Sequence, residues 1–399
     1  MSRAIVSLNS GSSSIKFGLY ALEPGGPVHK AGGKLEGIGT APRLMIRDDD
    51  GTVLIQRDWP GGASLTHEQL LDVLYDWAGT HLTGYEIAAV GHRVVHGGRK
   101  FRHPVRVDAA LLSELEAFCS LAPLHQPHNL AAIREIARKS PGLLQVACFD
   151  TAFHHDMPEV AARMALPRAY AERGFRRYGF HGLSYEYIAR KLAELDPALA
   201  RGRVIAAHLG NGASMCAMRE SRSIDTTMGF TALDGLMMGT RSGSLDPGVI
   251  VHLQLQEGMS AQDVESLLYR QSGLLGVSGV SSDMRALHDS KDPHAREAIE
   301  LFVWRAARHA GALMSALEGL DGLVFTAGIG ENDPRIRAAI CERLAWAGVV
   351  LDAQANASNA PVISSPDSRI TVRVIPTDEE RMIALHTSAI LENREGEAA

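Results

Sequence analysis

The chain has 399 residues, with 40 lysine and arginine residues against 46 aspartate and glutamate residues, so its formal net charge is −6. Its 45% hydrophobic and 22% charged residues are average for soluble globular proteins, which excludes disorder for the bulk of the chain. No apolar run reaches the roughly 18 residues of a membrane span, and the N-terminus turns polar too soon for a signal peptide. Mild acidity without basic clusters argues against a nucleic-acid surface.

Two similar hairpins lie half a chain apart. Ile5–Leu8 is predicted as a strand, Asn9–Ser14 as a polar turn and Ile15–Tyr20 as the returning strand. In the second half, Val204–Leu209 predicts a strand that enters the turn Gly210–Ser214 and returns. This recurrence predicts an internal duplication of one α/β unit.

The segments between and after these hairpins alternate between helical and strand patterns. Predicted helices cover Ala109–Phe118, Asn129–Lys139, Ser184–Leu195, Ser260–Arg270 with Ser260 as N-cap, Ala295–Leu317, and a helix opened by Pro334. Predicted strands cover Leu143–Phe149, Leu323–Ala327 and Thr371–Ile375. The segment Gly328–Asn332 is expected to be a turn.

The longest predicted helix carries an apolar stripe at 3.6-residue spacing. Its members are Ile299, Phe302, Val303, Ala306, Ala310, Leu313 and Leu317. Such a stripe is typical of a buried core face or of a seam between subunits.

The four cysteines lie far apart and form no CxxC pair; they are Cys119, Cys148, Cys216 and Cys341. This spacing indicates neither a zinc site nor a disulfide framework. We therefore expect reduced, mostly buried thiols and a cytoplasmic protein.

The common nucleotide and hydrolase motifs GxxxxGK[ST], GxGxxG, HExxH and GxSxG are absent from the sequence. Three glycine-rich strand ends remain, at Asn9–Ser14, Gly210–Gly212 and Gly328–Asn332. Their backbone N–H groups and hydroxyls could cradle phosphate, and a nucleotide cleft between two α/β halves would need about that many. The ordinary alternative for each is a polar turn.

Charged residues occupy unusual settings near several glycines. Arg93 and Arg241 are flanked by glycine, so either guanidinium could bind a planar anion, and the alternative is an arginine that caps carbonyls. Asp150 follows a strand at the end where α/β ligands collect. His181 is bracketed by glycines and aromatic residues, and Glu379 could hold Mg²⁺ or begin a solvated acidic helix.

An ordered series of segments resembles the acetate kinase family, within the sugar kinase, actin and heat-shock ATPase superfamily. These segments are Asn9–Lys16, Gly91–Gly98, Asp150–His154, Arg176–Gly182, His208–Ser214, Asp225–Phe230, Met238–Gly243, Ser272–Arg285, Phe325–Asn332 and Pro376–Glu380. The resemblance implies an α/β chain with a two-domain, actin-like and ribonuclease H-like ATPase fold built from a duplicated unit. It implies domains at 1–150, joined by the tail 385–399, and at 151–384. A homodimer is also implied, with Ala295–Leu317 as a candidate seam.

The resemblance also implies roles for individual residues. The implied catalytic residues are Arg93, His125, Asp150, His181 and Arg241. The acetate pocket is implied at Arg93, Val95, Leu124 and Ala232. The implied nucleotide-binding residues are Ser12, Lys16, His208, Leu209, Gly210, Asn211, Gly212, Asp283, Met284, Arg285, Gly328, Ile329, Gly330, Glu331 and Asn332. Asn9 and Glu379 match positions for Mg²⁺, with Mn²⁺ as an alternative ion.

The implied activity is a reversible, magnesium-dependent and direct in-line transfer of the γ-phosphoryl group from ATP to acetate, which yields acetyl phosphate and ADP. Two anions must meet in this reaction, so positioned cations carry most of the catalysis. A carboxylic acid with a pKa of about 4–5 is already ionised at neutral pH, so no base is required. We therefore expect Asp150 to orient an arginine or a metal-bound water.

Departures from the family pattern bear on specificity. Ala232 stands where the family commonly has proline, which predicts a larger acyl pocket and better use of propionate. Further differences beside the motifs are at Leu183, Tyr185, Ser244 and Met284. One alternative is a propionate or short-chain acyl kinase of the same fold. A remote one is an actin- or chaperone-like ATPase module, which would leave the arginines and His181 without an anionic substrate.

Overall fold

The computed structural model describes residues 1–11, 14–81, 84–123 and 125–398. Ser12 and Leu124, expected to contact nucleotide and acyl group, lie outside the described residues. The chain divides into one unit of Met1–Ala152 with the segment from Asp378 onward, and a second unit of Phe153–Thr377. In this division the chain returns to the first unit at Asp378. The sequence-based boundary at residue 385 stays a prediction.

Both units contain strands and helices. The strands are β1 (Ser2–Ser10), β2 (Ser14–Glu23), β3 (Gly26–Glu36), β4 (Arg43–Asp48), β5 (Val53–Asp58), β6 (Tyr85–Val94), β7 (Val105–Arg106), β8 (Leu144–Phe149), β9 (Arg203–Leu209), β10 (Ala213–Arg219), β11 (Arg222–Thr226), β12 (Gly322–Thr326) and β13 (Thr371–Val374). The α-helices are α1 (His67–His81), α2 (Ala109–Glu116), α3 (Gln126–Lys139), α4 (Glu159–Ala162), α5 (Arg168–Glu172), α6 (Gly182–Leu195), α7 (Pro197–Ala200), α8 (Pro247–Leu255), α9 (Ala261–Arg270), α10 (Gly273–Ser278), α11 (Met284–Asp289), α12 (Pro293–Leu317), α13 (Ala327–Asn332), α14 (Pro334–Arg343), α15 (Ala353–Ala357) and α16 (Glu379–Ala398).

The first unit is built on a sheet in the order β5-β4-β3-β2-β1-β6-β8-β7. The predicted first hairpin is confirmed, since β1 and β2 pair antiparallel from Ala4 to Ser10. Strands β1, β6 and β8 run parallel, so their carboxyl ends meet at one edge. One face packs its aliphatic side chains against α1 and α3 in a core that includes Leu8, Leu70 and Ile133.

Helix α16 belongs to the first unit because β6 leaves room for it. A Cβ atom at Gly91 would overlap the side chains of Thr387 and Ile383, so the strand and the helix are in close contact only because this residue is glycine. The same packing brings the start of α16, at Glu379, to the first unit.

The second unit repeats the strand order of the first. Its sheet runs β11-β10-β9-β12-β13, with an antiparallel meander of three strands followed by two parallel strands. The first sheet has the same pattern in β3-β2-β1-β6-β8. The predicted duplication is therefore confirmed at the level of topology.

One prediction for the second unit is wrong and another is confirmed in part. The segment Gly328–Asn332 is not a turn, because Thr326 ends β12 and the chain enters α13 through Ala327, whose φ is 65°. The apolar stripe of α12 is mostly buried within its own unit, from Phe302 to Leu317, which confirms it as a core face; the helix as a candidate subunit seam stays a prediction.

Helix α8 instead presents apolar side chains outward. It has no buried residue, and Val249, Val251 and Leu255 are exposed. All four cysteines are free, and three of them are buried as expected. Within the described part of the chain, no helix has the length and apolar character needed to cross a membrane.

Candidate active site

Polar side chains gather where the parallel strands of the first unit end. Asn9 lies near the end of β1, Arg93 near the end of β6, and Asp150 directly after β8. The register pairs Leu8 with His92 and Arg93 with Cys148, which places these side chains side by side. Ligands of open α/β sheets bind at such carboxyl ends.

The guanidinium of Arg93 is held by a fully buried carboxylate. Its Nε donates to both oxygens of Asp150 at 3.0 Å, and its Nη2 donates to Oδ2 at 2.6 Å. Its Nη1 donates to Asn9 Oδ1 at 3.3 Å and lies 3.6 Å from Glu379 Oε2. Asp150 therefore occupies one edge of the guanidinium fork, and Nη1 is directed at Asn9 and Glu379.

The electrostatics of this cluster keep Arg93 charged. Burial by itself lowers the pKa of the guanidinium, but the charges of Asp150 and Glu379 outweigh it and the net direction is upward. Removing one partner of such a pair would leave an uncompensated charge, which is strongly destabilising. Arg93 and Asp150 thus depend on each other for their position.

Two buried amides that sequence reasoning missed fix the backbone around Arg93. Asn129 accepts a hydrogen bond from the Val95 N–H at 3.0 Å and donates to the Ser10 carbonyl at 2.6 Å. Gln126 accepts from the His96 N–H and donates to the His96 carbonyl, both at 3.1 Å. The helical register of α3 was the available signal, because it places both amides on the face toward the sheet.

The oxygens of Asn9 and Glu379 fit Mg²⁺ with substrate phosphates and waters. Both are hard donors, and Asn9 Nδ2 lies 3.4 Å from Glu379 Oε2. Among the described residues no three His, Cys, Asp or Glu side chains form a metal cage, so substrate and water would complete the coordination. Burial raises the pKa of neighbouring Glu380, whose Oε1 is buried without a hydrogen-bond partner in the described part of the chain.

A stacked pair of imidazoles marks the second unit. The rings of His181 and His208 lie 4.1 Å apart between centroids at an interplanar angle of 16°. His181 Nδ1 lies 2.9 Å from Ser214 Oγ, and His208 Nδ1 lies 2.8 Å from Ser184 Oγ. His181 also has a left-handed backbone, φ 58°, at the N-cap of α6, a conformation that is strained for a side chain other than glycine.

Arg241 lies on a loop of the same unit and approaches the β9–β10 turn. Its Nη1 donates to the Ala232 carbonyl at 2.8 Å, so part of the guanidinium does cap a carbonyl. A Cβ atom at Gly212 would lie 3.5 Å from Arg241 Nη2 and 3.5 Å from His181 Nε2. Gly212 therefore leaves the space between a guanidinium and an imidazole clear for a ligand.

The predicted nucleotide segments adopt distinct structures. Leu209 ends β9, and Gly210 N–H bonds to the Gly212 carbonyl across the turn that contains Asn211. Asp283 is the N-cap of α11, where Met284 is buried and Arg285 is exposed. The Arg285 hydrogen bond is the main cause that lowers the pKa of Asp283.

Helix α13 contains the remaining residues of the second unit that are predicted to bind nucleotide, which are Gly328, Ile329, Gly330, Glu331 and Asn332. One oxygen of Glu331 accepts from the N–H groups of Ala327 and Thr377 at 2.7 and 3.0 Å. That oxygen therefore stabilises the junction between β12 and α13. Within the helix, Asn332 Nδ2 donates to the Gly328 carbonyl at 2.9 Å.

The other predicted residues are placed as follows. Lys16 is exposed on β2, opposite Asn9 in the hairpin register. His125 is the N-cap of α3 in the first unit. Val95 is buried in the first unit, whereas Ala232 is half-buried in the second.

A further buried histidine supports the loop that carries His181. His154 is fully buried, with Nε2 donating to the Phe180 carbonyl at 3.0 Å and Nδ1 accepting from the Ser223 hydroxyl at 2.8 Å. Burial lowers the pKa of His154 to about 4. The ring is therefore neutral, and it fixes the carbonyl that precedes His181.

Comparisons with known proteins cover nearly the whole chain. A profile of the Acetokinase family matches residues 4–385. The acetate kinase of Rhodopseudomonas palustris (strain TIE-1) is 55% identical over 391 residues, which are 97% of this chain and 98% of that protein. The acetate kinase structure from Porphyromonas gingivalis aligns with a TM-score of 0.84 at 38% identity, over 98% of this chain and 100% of that one. A propionate kinase structure from Francisella tularensis aligns with a TM-score of 0.87 at 38% identity, over 97% and 99%.

We predict that His154→Asn flattens the pH dependence of stability on the acid side. Because the pKa of His154 is about 4 in the folded chain and about 6.5 in the unfolded chain, only the unfolded chain binds this proton between those values. This histidine therefore does not affect the free energy of unfolding above pH ~6.5. As the pH decreases from there toward ~4, its unfolded-state protonation lowers the free energy of unfolding by roughly 3 kcal/mol. Urea unfolding at a series of pH values measures the slope.

Ser223→Ala is the matched control for that experiment, since it removes a hydrogen bond to His154 but leaves the imidazole buried. It should lower stability at pH 7 and keep the parental slope. An unchanged slope in His154→Asn would contradict the assignment.

Proposed function

The chain belongs to the acetokinase family, and on that premise we propose that it transfers the γ-phosphoryl group of ATP to acetate, giving acetyl phosphate and ADP reversibly. It is a phosphotransferase with a carboxyl group as acceptor. The observation that carries the proposal is the guanidinium of Arg93, clamped by buried Asp150 at the carboxyl ends of parallel strands. A small anionic substrate explains why a charge is held there.

Arg93 is proposed to bind the acetate carboxylate. Asp150 uses the edge formed by Nε and Nη2, so the guanidinium cannot rotate and its terminal nitrogens keep a fixed direction. A planar guanidinium pairs well with a planar carboxylate, and it offsets the repulsion between acetate and the phosphate chain. Acetate is already ionised near neutral pH, so Asp150 acts by orienting Arg93 and not as a base.

Arg241 and His181 are proposed to stabilise the charge on the transferred phosphoryl group. Their nitrogens flank Gly212, where a side chain would otherwise intrude. Phosphoryl transfer requires little covalent chemistry from the protein, so donors that are already oriented supply most of the rate enhancement. Direct in-line displacement by the carboxylate needs no covalent enzyme intermediate. His125 is proposed as a further active-site histidine.

Asn9 and Glu379 are proposed to hold Mg²⁺, with Mn²⁺ as an alternative ion. Their oxygen donors, which lie close together at the start of α16 and the end of β1, support this assignment. The ion, when bound, would neutralise charge on the phosphate oxygens of the nucleotide. The nucleotide itself is assigned to Lys16 and Ser12 of the first hairpin, the β9–β10 turn with His208, and the starts of α11 and α13.

We further propose a homodimer that forms through α8 and works in the cytoplasm. An apolar helix with no buried residue in its own chain exposes Val249, Val251 and Leu255, which is the kind of surface that a second copy covers. The free thiols of the four cysteines suit a reducing compartment.

The reaction is tested by trapping acyl phosphate with hydroxylamine in the presence of ATP and acetate, propionate or butyrate. We expect acetate to be the best substrate and propionate to be used with a kcat/KM above about one thousandth of the acetate value. The position of Ala232, where the family commonly has proline, favours propionate as a second substrate. ATP hydrolysis that needs no carboxylate would instead favour an ATPase module.

Ala232→Pro tests the acyl pocket in the same assay. A rigid ring should lower the ratio of propionate to acetate kcat/KM by roughly tenfold, because one methylene in a tight pocket is worth about 1–3 kcal/mol. Ala232→Gly, which removes bulk, is the matched control and should keep or raise that ratio. Equal ratios in the parent and both variants would remove Ala232 from the acyl pocket.

Val251→Glu tests the proposed dimer surface. Val251 is 53% exposed on α8, so a glutamate is tolerated in the single chain but would place like charges near each other in a dimer. Sedimentation should show dissociation to monomers, whereas Val160→Glu, at an 86% exposed position on α4, should leave the dimer intact. A Val251→Glu dimer of parental strength would contradict the assignment of α8.

A further inference from the structure

Tyr185 departs from the family pattern and lies inside the histidine cluster of the second unit. It belongs to the first turn of α6, the helix whose N-cap is His181, and its side chain is fully buried. Its hydroxyl lies 2.5 Å from Ser214 Oγ, and Ser214 Oγ lies 2.9 Å from His181 Nδ1. Tyr185, Ser214 and His181 therefore form a continuous chain of hydrogen bonds, which we call the hydroxyl relay.

The direction of the first bond follows from burial. A buried hydroxyl hydrogen needs an acceptor, and among the described residues Ser214 Oγ is the acceptor within reach of Tyr185. Burial raises the pKa of the Tyr185 phenol well above its usual value, so the hydroxyl keeps its proton. Tyr185 is thus the donor to Ser214.

The direction of the second bond follows from the first. Ser214 Oγ already accepts from Tyr185, and Ser214 is fully buried, so its own hydrogen must be donated. Its described partner is His181 Nδ1, at 2.9 Å. A nitrogen that accepts this hydrogen carries none itself, so the neutral ring of His181 carries its proton on Nε2.

Two other charged or titratable groups lie close to the ring of His181, and they bear on its charge, not on which nitrogen carries the proton. His208 stacks on the ring from β9, and Arg241 Nη2 lies across Gly212 from His181 Nε2. A positive guanidinium beside the imidazole disfavours a second positive charge. His181 Nε2 is also the nitrogen that faces the space above Gly212.

We propose that Tyr185 is a positioning residue that acts through Ser214 to hold His181 neutral with its proton on Nε2, as a hydrogen-bond donor to the transferred phosphoryl group. The inference rests on the proposed function, in which His181 contacts that group. This arrangement explains how an uncharged imidazole serves as a donor even at alkaline pH, where a charged imidazolium would have lost its second proton. No proton leaves the relay during transfer.

The direct test is ¹⁵N NMR of the histidine rings in the intact enzyme, with His181 identified by the signal lost in His181→Gln. In the parent at pH 8.5, Nε2 should carry the proton and Nδ1 should be bare. In Tyr185→Phe, Ser214 Oγ is released to accept from Nδ1–H, so the Nδ1 signal should move toward the protonated form. A parent spectrum with the proton on Nδ1, or identical spectra for the two proteins, would overturn the proposal.

The pH profile gives a second readout that a purely structural role would not move. We expect kcat of Tyr185→Phe to fall about two- to fivefold at pH 8.5, the loss of one hydrogen bond, and to recover toward the parental value at a pH low enough to protonate the ring, because a protonated ring carries hydrogen on Nε2 in both proteins. Tyr178→Phe is the matched control, since it deletes a buried phenol hydroxyl that donates to the Gly174 carbonyl outside the relay. It should change kcat by the same factor at both pH values, and the same pattern in Tyr185→Phe would overturn the proposal.

Ser214→Ala separates the relay from other effects of Tyr185. If Tyr185 acts only through Ser214, adding Tyr185→Phe to Ser214→Ala should cause no further change in the pH profile. Further change would overturn the proposal. Failure of the relay is distinguishable from failure of the proposed function, because the NMR result needs no turnover, whereas full activity of His181→Gln would remove His181 from the reaction.

Discussion

The ion pair of Arg93 and Asp150 is the constraint on which the first unit's site depends. A guanidinium at the end of β6 would be mobile and poorly aimed, but a fully buried carboxylate holds one edge of its fork and keeps it charged. The main chain that carries this carboxylate is fixed in turn, because the Asp150 N–H donates to the carbonyl of Val94 on β6. Parallel pairing of β1, β6 and β8 makes this possible by aligning three strand ends.

The second unit uses the repeated topology for a different purpose. The hairpin of β9 and β10 corresponds in topology to that of β1 and β2, yet its glycine turn is placed beside stacked imidazoles and Arg241. The hydroxyl of Ser214 hydrogen-bonds Nδ1 of His181, and the hydroxyl of Ser184 hydrogen-bonds Nδ1 of His208. The second unit thus places two imidazoles and a guanidinium close to its own glycine turn.

Much of this arrangement could be predicted from the sequence. The hairpins, the strand before Asp150 and the N-cap at Ser260 are set by local patterns, and the structure confirms them. The entry into α13 was missed because it depends on Glu331 bonding to the distant Thr377 N–H. The hydrogen bonds of Asn129 and Tyr185 were missed for the same reason, since each depends on contacts between residues far apart in the chain. The roles of the site residues stay predictions.

The most direct test of the account is a double-mutant cycle on Arg93 and Asp150, measured as kcat/KM for acetate at saturating magnesium nucleotide. If Asp150 works by holding Arg93, then Arg93→Ala combined with Asp150→Asn should be no worse than Arg93→Ala alone, within about threefold. Losses that multiply in the double variant would contradict the account, because Asp150 would then contribute to the reaction independently of the guanidinium.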